Sequence, residues 1–173
     1  TKTGYLEYLD LKDRQLTYMM RLKGTLRFLI LARNNLHECI SNNYCSSFLL
    51  YLNSLEKLDM SRNGITFLPQ KFLMGLSNLT YLALSGNKLT LLFPGTFHSL
   101  SKLKHLDLSH NQLKQLHSML FFSLARLQLL IISYNELHGS DALFNYIPAI
   151  CNVDLSFNKI TYLDKNTTSF LDQ

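Results

Sequence analysis

Six histidines, three cysteines and a recurring aspartate are the side chains of this sequence whose types and spacing bear on chemistry. His105 and His110 lie five residues apart, a pair that would begin a metal site. A structural or catalytic zinc needs three or four protein ligands, and no third ligand stands at a fixed spacing from this pair, so no metal is expected. Asp10, Asp59, Asp107 and Asp154 recur at one point of the repeating segment set out below, always in alternate segments. Alternate segments would lie ~10 Å apart, too far for two carboxylates to work as a pair, so these aspartates are expected to solvate a surface. No G-x-S-x-G, phosphate loop, His-x-x-x-His or C-x-x-C is present. The expectation is a protein that is not an enzyme and has no cofactor.

The cysteines point to a compartment. Cys39 and Cys45 would close a small loop as a disulfide, which suggests an oxidising environment; two unpaired thiols are the other reading. Cys151 is expected to be a free thiol or to pair outside the chain. Four histidines, His98, His105, His110 and His117, fall close together in sequence, and acidification would add positive charge there. The net charge is +5. The basic residues are spread rather than gathered in a stripe, so nucleic acid is a lesser expectation as partner. The longest apolar runs, at 48–52 and 129–132, are far short of the ~20 residues of a membrane helix.

All these residues sit on one periodic frame. Leu supplies 39 of the 173 residues, well beyond its ordinary share. Seven segments align on L-x-x-L-x-L-x-x-N-x-L, starting at Leu6, Leu26, Leu55, Leu79, Leu103, Leu127 and Ile150, with spacings of 20, 29, 24, 24, 24 and 23 residues. Self-similarity at this period defines a leucine-rich-repeat solenoid. The expected fold is an α/β solenoid: a horseshoe with a concave parallel β-sheet and a convex side of loops and short helical turns.

Each L-x-L has a period of two, so each unit contributes a short strand with its leucines inward. Position nine carries Asn34, Asn63, Asn87, Asn111, Asn135 and Asn158. An inward amide there supplies two donors and an acceptor to a tight turn, so this column is read as a structural ladder. Arg14 stands in its place in the first unit. A guanidinium cannot accept, so that unit is expected to be irregular. On the return path, Leu68, Leu92, Leu116 and Leu163, then Leu73, Phe97, Phe121 and Phe144, then Leu76, Leu100, Leu124 and Ile147, are expected to fill the back of the coil.

The pattern breaks in two places. The first unit is short, with room for little more than a turn on its return. The second is long, and an extra loop carrying Cys39 and Cys45 is expected to project from it. No amphipathic or Cys-rich cap closes either end, so the chain, 1–173, is expected to be an uncapped excerpt of a longer protein, cut in phase with its repeats.

The 24-residue form seen in LEKLDMSRNGITFLPQKFLMGLSNL, LTYLALSGNKLTLLFPGTFHSLSKL and LKHLDLSHNQLKQLHSMLFFSLARL resembles the typical class of extracellular leucine-rich-repeat receptors, and most of all Toll-like receptor ectodomains. The resemblance implies an innate-immune pattern-recognition receptor that binds a protein or microbial ligand non-covalently and then forms a receptor homo- or heterodimer. It also implies a place on the extracellular side of a plasma or endosomal membrane, anchored through a span absent from this chain. Adhesion receptors and matrix proteoglycans use the same repeat, so an interaction module without an immune role is the alternative. Two sequons, at Asn78 and Asn166, are candidates for N-glycosylation.

Recognition would fall on the concave face, read from positions three, five and eight of each unit. Leu129, Ile131, Tyr134 and Phe157 are expected to form one outward apolar patch, beside Tyr81, His105 and His110. Contiguous exposed apolar surface marks a contact site, with Tyr and Phe as its anchors.

Overall fold

A computed structural model describes residues 5–22, 24–42, 44–45, 47–139 and 145–163. Seven three-residue strands follow one another: β1 (Tyr8–Asp10), β2 (Phe28–Ile30), β3 (Lys57–Asp59), β4 (Tyr81–Ala83), β5 (His105–Asp107), β6 (Leu129–Ile131) and β7 (Asn152–Asp154). They form one parallel sheet in chain order, without a crossover. The register pairs equivalent residues of successive units, so that Leu29, Leu58, Leu82, Leu106 and Leu130 stand in one row. All five are fully buried. Strand residues on either side of Leu29, Leu58, Leu106 and Leu130 alternate outward and remain half-buried, as a period of two requires, while Ala83 beside Leu82 is buried.

The back of the coil is built as a second stack. Phe48, Phe72, Phe97 and Phe121 are among the largest fully buried side chains. Consecutive rings touch, with centroids 5.7 Å apart for Phe48 and Phe72 and 6.4 Å apart for Phe97 and Phe121. Leu68, Leu92, Leu73, Leu76, Leu100, Leu124 and Ile147 are also buried. Leu116 is only partly buried, and Leu163 is 47 % exposed. Among the described residues no following coil packs over Leu163, and a solenoid unit buries its faces only against neighbours. Phe144 lies outside the described residues.

The long second unit departs from expectation. Its extra residues do not project as a free loop. They form α1 (His37–Ser41), the one helix among the described residues, and turn Cys39, Ile40 and Cys45 into the core. Cys39 and Cys45 are joined as a disulfide. The backbone N–H of Met19, itself buried, donates to Cys45 Sγ at 3.3 Å. The long return path of unit two thus covers the short return path of unit one, whose Leu16 and Leu22 pack only partly. No helix among the described residues is long and apolar enough to cross a membrane.

Candidate functional site

The site begins at the turn that ends each strand. Backbone pairing does not stop with the strand. The N–H at position six donates to position five of the next unit, as from Leu84 to Asp107 at 2.8 Å and from Leu108 to Ile131 at 2.7 Å. The N–H at position eight donates to position seven of the next unit: Arg62 to Ser85, Gly86 to Ser109, His110 to Ser133 and Tyr134 to Ser156, at 2.8–3.0 Å. At position eight the chain turns left-handed in every unit. φ is 58° at Asp13, 56° at Arg33, 54° at Arg62, 67° at Gly86, 52° at His110, 55° at Tyr134 and 54° at Phe157. That region costs an L-residue about 1–2 kcal/mol, and bulky residues visit it only where the surroundings over-determine the turn. Pairing to the next unit does so here. Gln15 also has a positive φ, 57°, which marks the first unit as irregular at its turn.

The asparagines close the same turn from inside. Asn111 Nδ2 donates to the carbonyls of Leu108 and, in the preceding unit, Leu84, each at 3.0 Å. Its Oδ1 accepts from the N–H of Leu89 at 3.0 Å. Asn87 Oδ1 accepts from Asn63 and Ile65, Asn135 Oδ1 from Leu113, and Asn158 Oδ1 from Leu137, all at 3.0 Å. Asn63 Oδ1 accepts from Leu36 at 3.4 Å. Asn34 serves the first unit, accepting from Arg14 and Leu16 at 3.1 and 2.9 Å. The irregular Arg14 is thereby held by its neighbour's amide.

The aspartates are not simply solvated. Asp59 Oδ1 accepts from the N–H and Oγ–H of Ser61 at 2.9 and 2.7 Å, and Asp107 does the same with Ser109. Asp154 accepts from Ser156 at 2.9 and 2.6 Å, and Asp10 from the N–H of Lys12 at 2.9 Å. These short-range bonds brace the exit from the strand. The hydroxyl and N–H of Ser156 hold the Asp154 carboxyl below the usual carboxylate range.

Held in register, the position-eight side chains leave the turn in one direction. The rings of His110 and Tyr134 stack with centroids 4.2 Å apart and planes 10° apart; those of Tyr134 and Phe157 stack at 4.2 Å and 12°. Tyr134 is 44 % and Phe157 69 % exposed. Leu129 and Ile131, on β6, are half-buried beside them. A second row runs along position three. Lys57 Nζ lies 4.4 Å from the centroid of Tyr81, whose ring is 4.5 Å from that of His105. Burial lowers the pKa of His105, with the Asp107 carboxylate opposing and Lys57 adding to the effect.

Arg27 and Arg33 are paired, with Glu56 at 2.8 Å and Asp13 at 2.6 Å. Lys57 and Arg62 have no ion pair among the described residues. The surface therefore presents unpaired cations at unit three and stacked rings from unit five to unit seven.

The histidines do not form one cluster. His105 and His110 belong to this surface. His98 lies on the return path with Nδ1 3.1 Å from Ser123 Oγ, and His117 Nδ1 accepts from the N–H of Met119. No group of three or more His, Cys, Asp or Glu suited to a metal occurs among the described residues. Asn78 is half-buried at the opposite, strand-entry edge. Its Nδ2 donates to Asn53 O at 2.7 Å and its Oδ1 accepts from Lys102 Nζ at 2.7 Å. Asn166 lies outside the described residues. Cys151 is a free, exposed thiol.

One member of the surface is not evident from pattern reading. Gly86 occupies position eight of unit four, where every other unit has a side chain. The signal is present in the column but invisible in any single unit.

The family model described as "Leucine rich repeat" matches residues 24–89, 53–113 and 86–137, a continuous run over more than half of the chain. The chain belongs to the leucine-rich-repeat family. No curated protein matches it. Among solved structures, the leucine-rich-repeat chain resembles the one titled "Crystal structure of TLR13-ssRNA13 complex", with 36 % identity and a TM-score of 0.70. The match covers 79 % of this chain and 19 % of that one, so the chain resembles a segment of that Toll-like receptor structure and spans about a fifth of its length. Its leucine-rich repeats form a ligand-binding type of module, with the outward residues free to vary because the core does not constrain them.

Proposed function

We propose that the chain is a ligand-recognising segment of the ectodomain of an innate-immune receptor of the Toll-like kind. It acts by non-covalent binding coupled to receptor dimerisation, on the extracellular or endosomal-lumen side of a membrane. The observation that carries this reading is the open stack of His110, Tyr134 and Phe157 on the turn column. Its members serve no core, and Tyr134 and Phe157 are exposed. Exposed contiguous rings are contact surface. Single-stranded nucleic acid is the ligand class we take forward. The similar receptor was solved with ssRNA, and unpaired cations beside stacked rings are the two features that single strands need.

The test is the affinity of a single-stranded oligoribonucleotide for the wild type and for Tyr134→Ala plus Phe157→Ala, across a salt series. The variant should bind roughly 5- to 150-fold more weakly while keeping its circular dichroism, and wild-type affinity should fall with salt. Equal affinity in both proteins removes the surface from the function. Absence of binding to the wild type removes nucleic acid as the ligand class.

A further inference from the structure

The return path of the middle units carries apolar surface that no coil covers. Phe67 and Phe93 meet with ring centroids 5.8 Å apart, and Phe122 and Tyr146 at 5.4 Å. Between these two pairs, three hollows open around the Pro94–Gly95 turn. One of about 300 Å³ lies between Met74 of unit three and His98 of unit four. One of about 280 Å³ lies between Pro94 and the side chains of Met119 and Phe122 in unit five. One of about 450 Å³ lies between Phe93 and His117. Gly95 and His98 line the first two and Pro94 the last two, so the hollows adjoin. Met74, Leu91, Phe93, Met119 and Phe122 are all exposed, Phe122 to 56 %. Units three to five already have a coil on either side, and a solenoid buries its faces only along its own axis. The core is complete without these residues, since Phe72, Phe97 and Phe121 fill the buried ring stack.

The charge around these hollows has one sign. Cations are spread along the chain, but acids are not. From Met60 to Asn135 the sequence holds seven Lys and Arg against a single acid, Asp107. Asp107 lies on β5, where Ser109 takes up its carboxylate. Lys71 lines the first hollow. Lys88 and Lys114 stand three residues before Leu91 and His117. None of these three lysines has an ion pair among the described residues. Glu136, the next acid along the chain, is taken by Lys159 at 3.0 Å. Contiguous exposed apolar surface marks a contact, and uncompensated cations around it set the sign of the partner.

We propose that this face docks an acidic protein segment with apolar anchors. Its apolar side chains enter the hollows beside Pro94 and Gly95, and its carboxylates face Lys71, Lys88 and Lys114. Two features favour that partner over other anionic ones. The apolar groups here line hollows, which receive anchoring side chains, whereas a bilayer surface is entered by apolar groups that stand out from a face. The exposed rings meet edge-on, with planes 77° and 67° apart, and so give bases no flat platform of the kind on which single strands stack. The face lies on the return path, away from the turn column, and stands whatever that column binds.

The probe is a labelled peptide with Leu and Phe on one face of a helix and Glu on the other; the same peptide with Lys for Glu is the control. The protein is the whole 173-residue chain, and fluorescence anisotropy reads binding. The wild type should bind the Glu peptide more tightly than the Lys peptide, and the preference should shrink as salt is added. Phe93→Ser plus Phe122→Ser should weaken binding roughly 30-fold, the loss of an anchor. Gly95→Asn is the second variant. A Cβ there meets nothing within 4 Å, and Asn takes a left-handed turn more readily than other side chains, so two hollows are narrowed with the fold kept, and binding should fall again. Lys71→Glu plus Lys88→Glu should reverse the preference toward the Lys peptide. Tyr134→Ala plus Phe157→Ala should leave peptide binding unchanged, which separates this face from the turn column. No preference for the Glu peptide, or equal binding by the Phe93, Phe122 variant and Gly95→Asn, overturns the proposal. Phosphatidylserine vesicles or an oligoribonucleotide binding in place of the peptide, and lost with Phe93 and Phe122, would overturn it and reassign the face.

Discussion

Replacing Asn111 by Ala tests the ladder that sets the turn column. Asn111 is buried, and its amide makes bonds to Leu84 O, Leu108 O and Leu89 N–H. The two carbonyls keep a second donor after the change, Asn87 Nδ2 for Leu84 and Asn135 Nδ2 for Leu108. The N–H of Leu89, a fully buried residue, has no other partner among the described residues. One orphaned buried donor costs ~1–3 kcal/mol, and two lost carbonyl bonds cost ~0.5–1.5 kcal/mol each. The expected loss is therefore about 4 kcal/mol. Asn34→Ala is the comparison. Its amide is half-buried; the N–H groups of Arg14 and Leu16 that it accepts from are at or near solvent, and it donates to Leu11 O and Leu31 O. Water replaces the two accepted bonds, so the loss is that of the two carbonyl bonds, about 2 kcal/mol. Urea unfolding followed by circular dichroism measures both. Because a repeat array is held by nearest-neighbour interfaces, Asn111→Ala should also lower the denaturant slope, as units on either side separate. Equal destabilisation by the two variants would refute the reasoning, since it would mean that burial of the rung does not decide its worth.

Two further outcomes follow from the same structure. Cys39→Ser with Cys45→Ser opens a loop of sequence separation 6, which should cost about 2 kcal/mol and speed exchange of the Met19 amide, with little effect on the amides of Leu113 and Leu137. His105 has its pKa lowered by burial. The folded chain therefore holds fewer protons there than the unfolded one. The associated stability is full above the unfolded value of about 6.5 and is lost as pH falls through the lower folded value. His105→Gln should flatten the dependence of the thermal midpoint between about pH 7.5 and pH 5.5; an unchanged slope would count against it.

The repeat was legible because it is written in spacing. Every strand falls where L-x-L predicts, and the pattern L-x-x-L-x-L-x-x-N-x-L gives the register as well. Most return-path positions are legible for the same reason, Phe97 and Phe121 among them, but Phe48 and Phe72 of the same ring stack are not, and Leu163 is exposed rather than buried. Unit two was not legible. The extra residues of this 29-residue unit read as a projecting loop, because periodicity cannot tell that a non-periodic segment will be drawn inward by Cys39, Ile40 and Cys45 to cover a neighbour that is too short. Compared across units, the aspartate column points to solvation. Their partners, Ser61, Ser109 and Ser156, lie two residues along the same unit. The ring stack was half legible. Tyr134 and Phe157 were placed together by position, but the inclusion of His110 as a stacked ring depends on the left-handed turn that all seven units share. Sequence nearness of four histidines was misleading, since a coil sends residues seven apart to different faces.

The most direct test of a recognition surface on the turn column is residue-resolved NMR of the chain as a single-stranded oligoribonucleotide is added. Ring and amide shifts should move at His110, Tyr134 and Phe157, while the buried return-path rings of Phe72, Phe97 and Phe121 stay where they are. Shifts confined to the return path, or none at the three stacked rings when the strand is bound, would contradict the account.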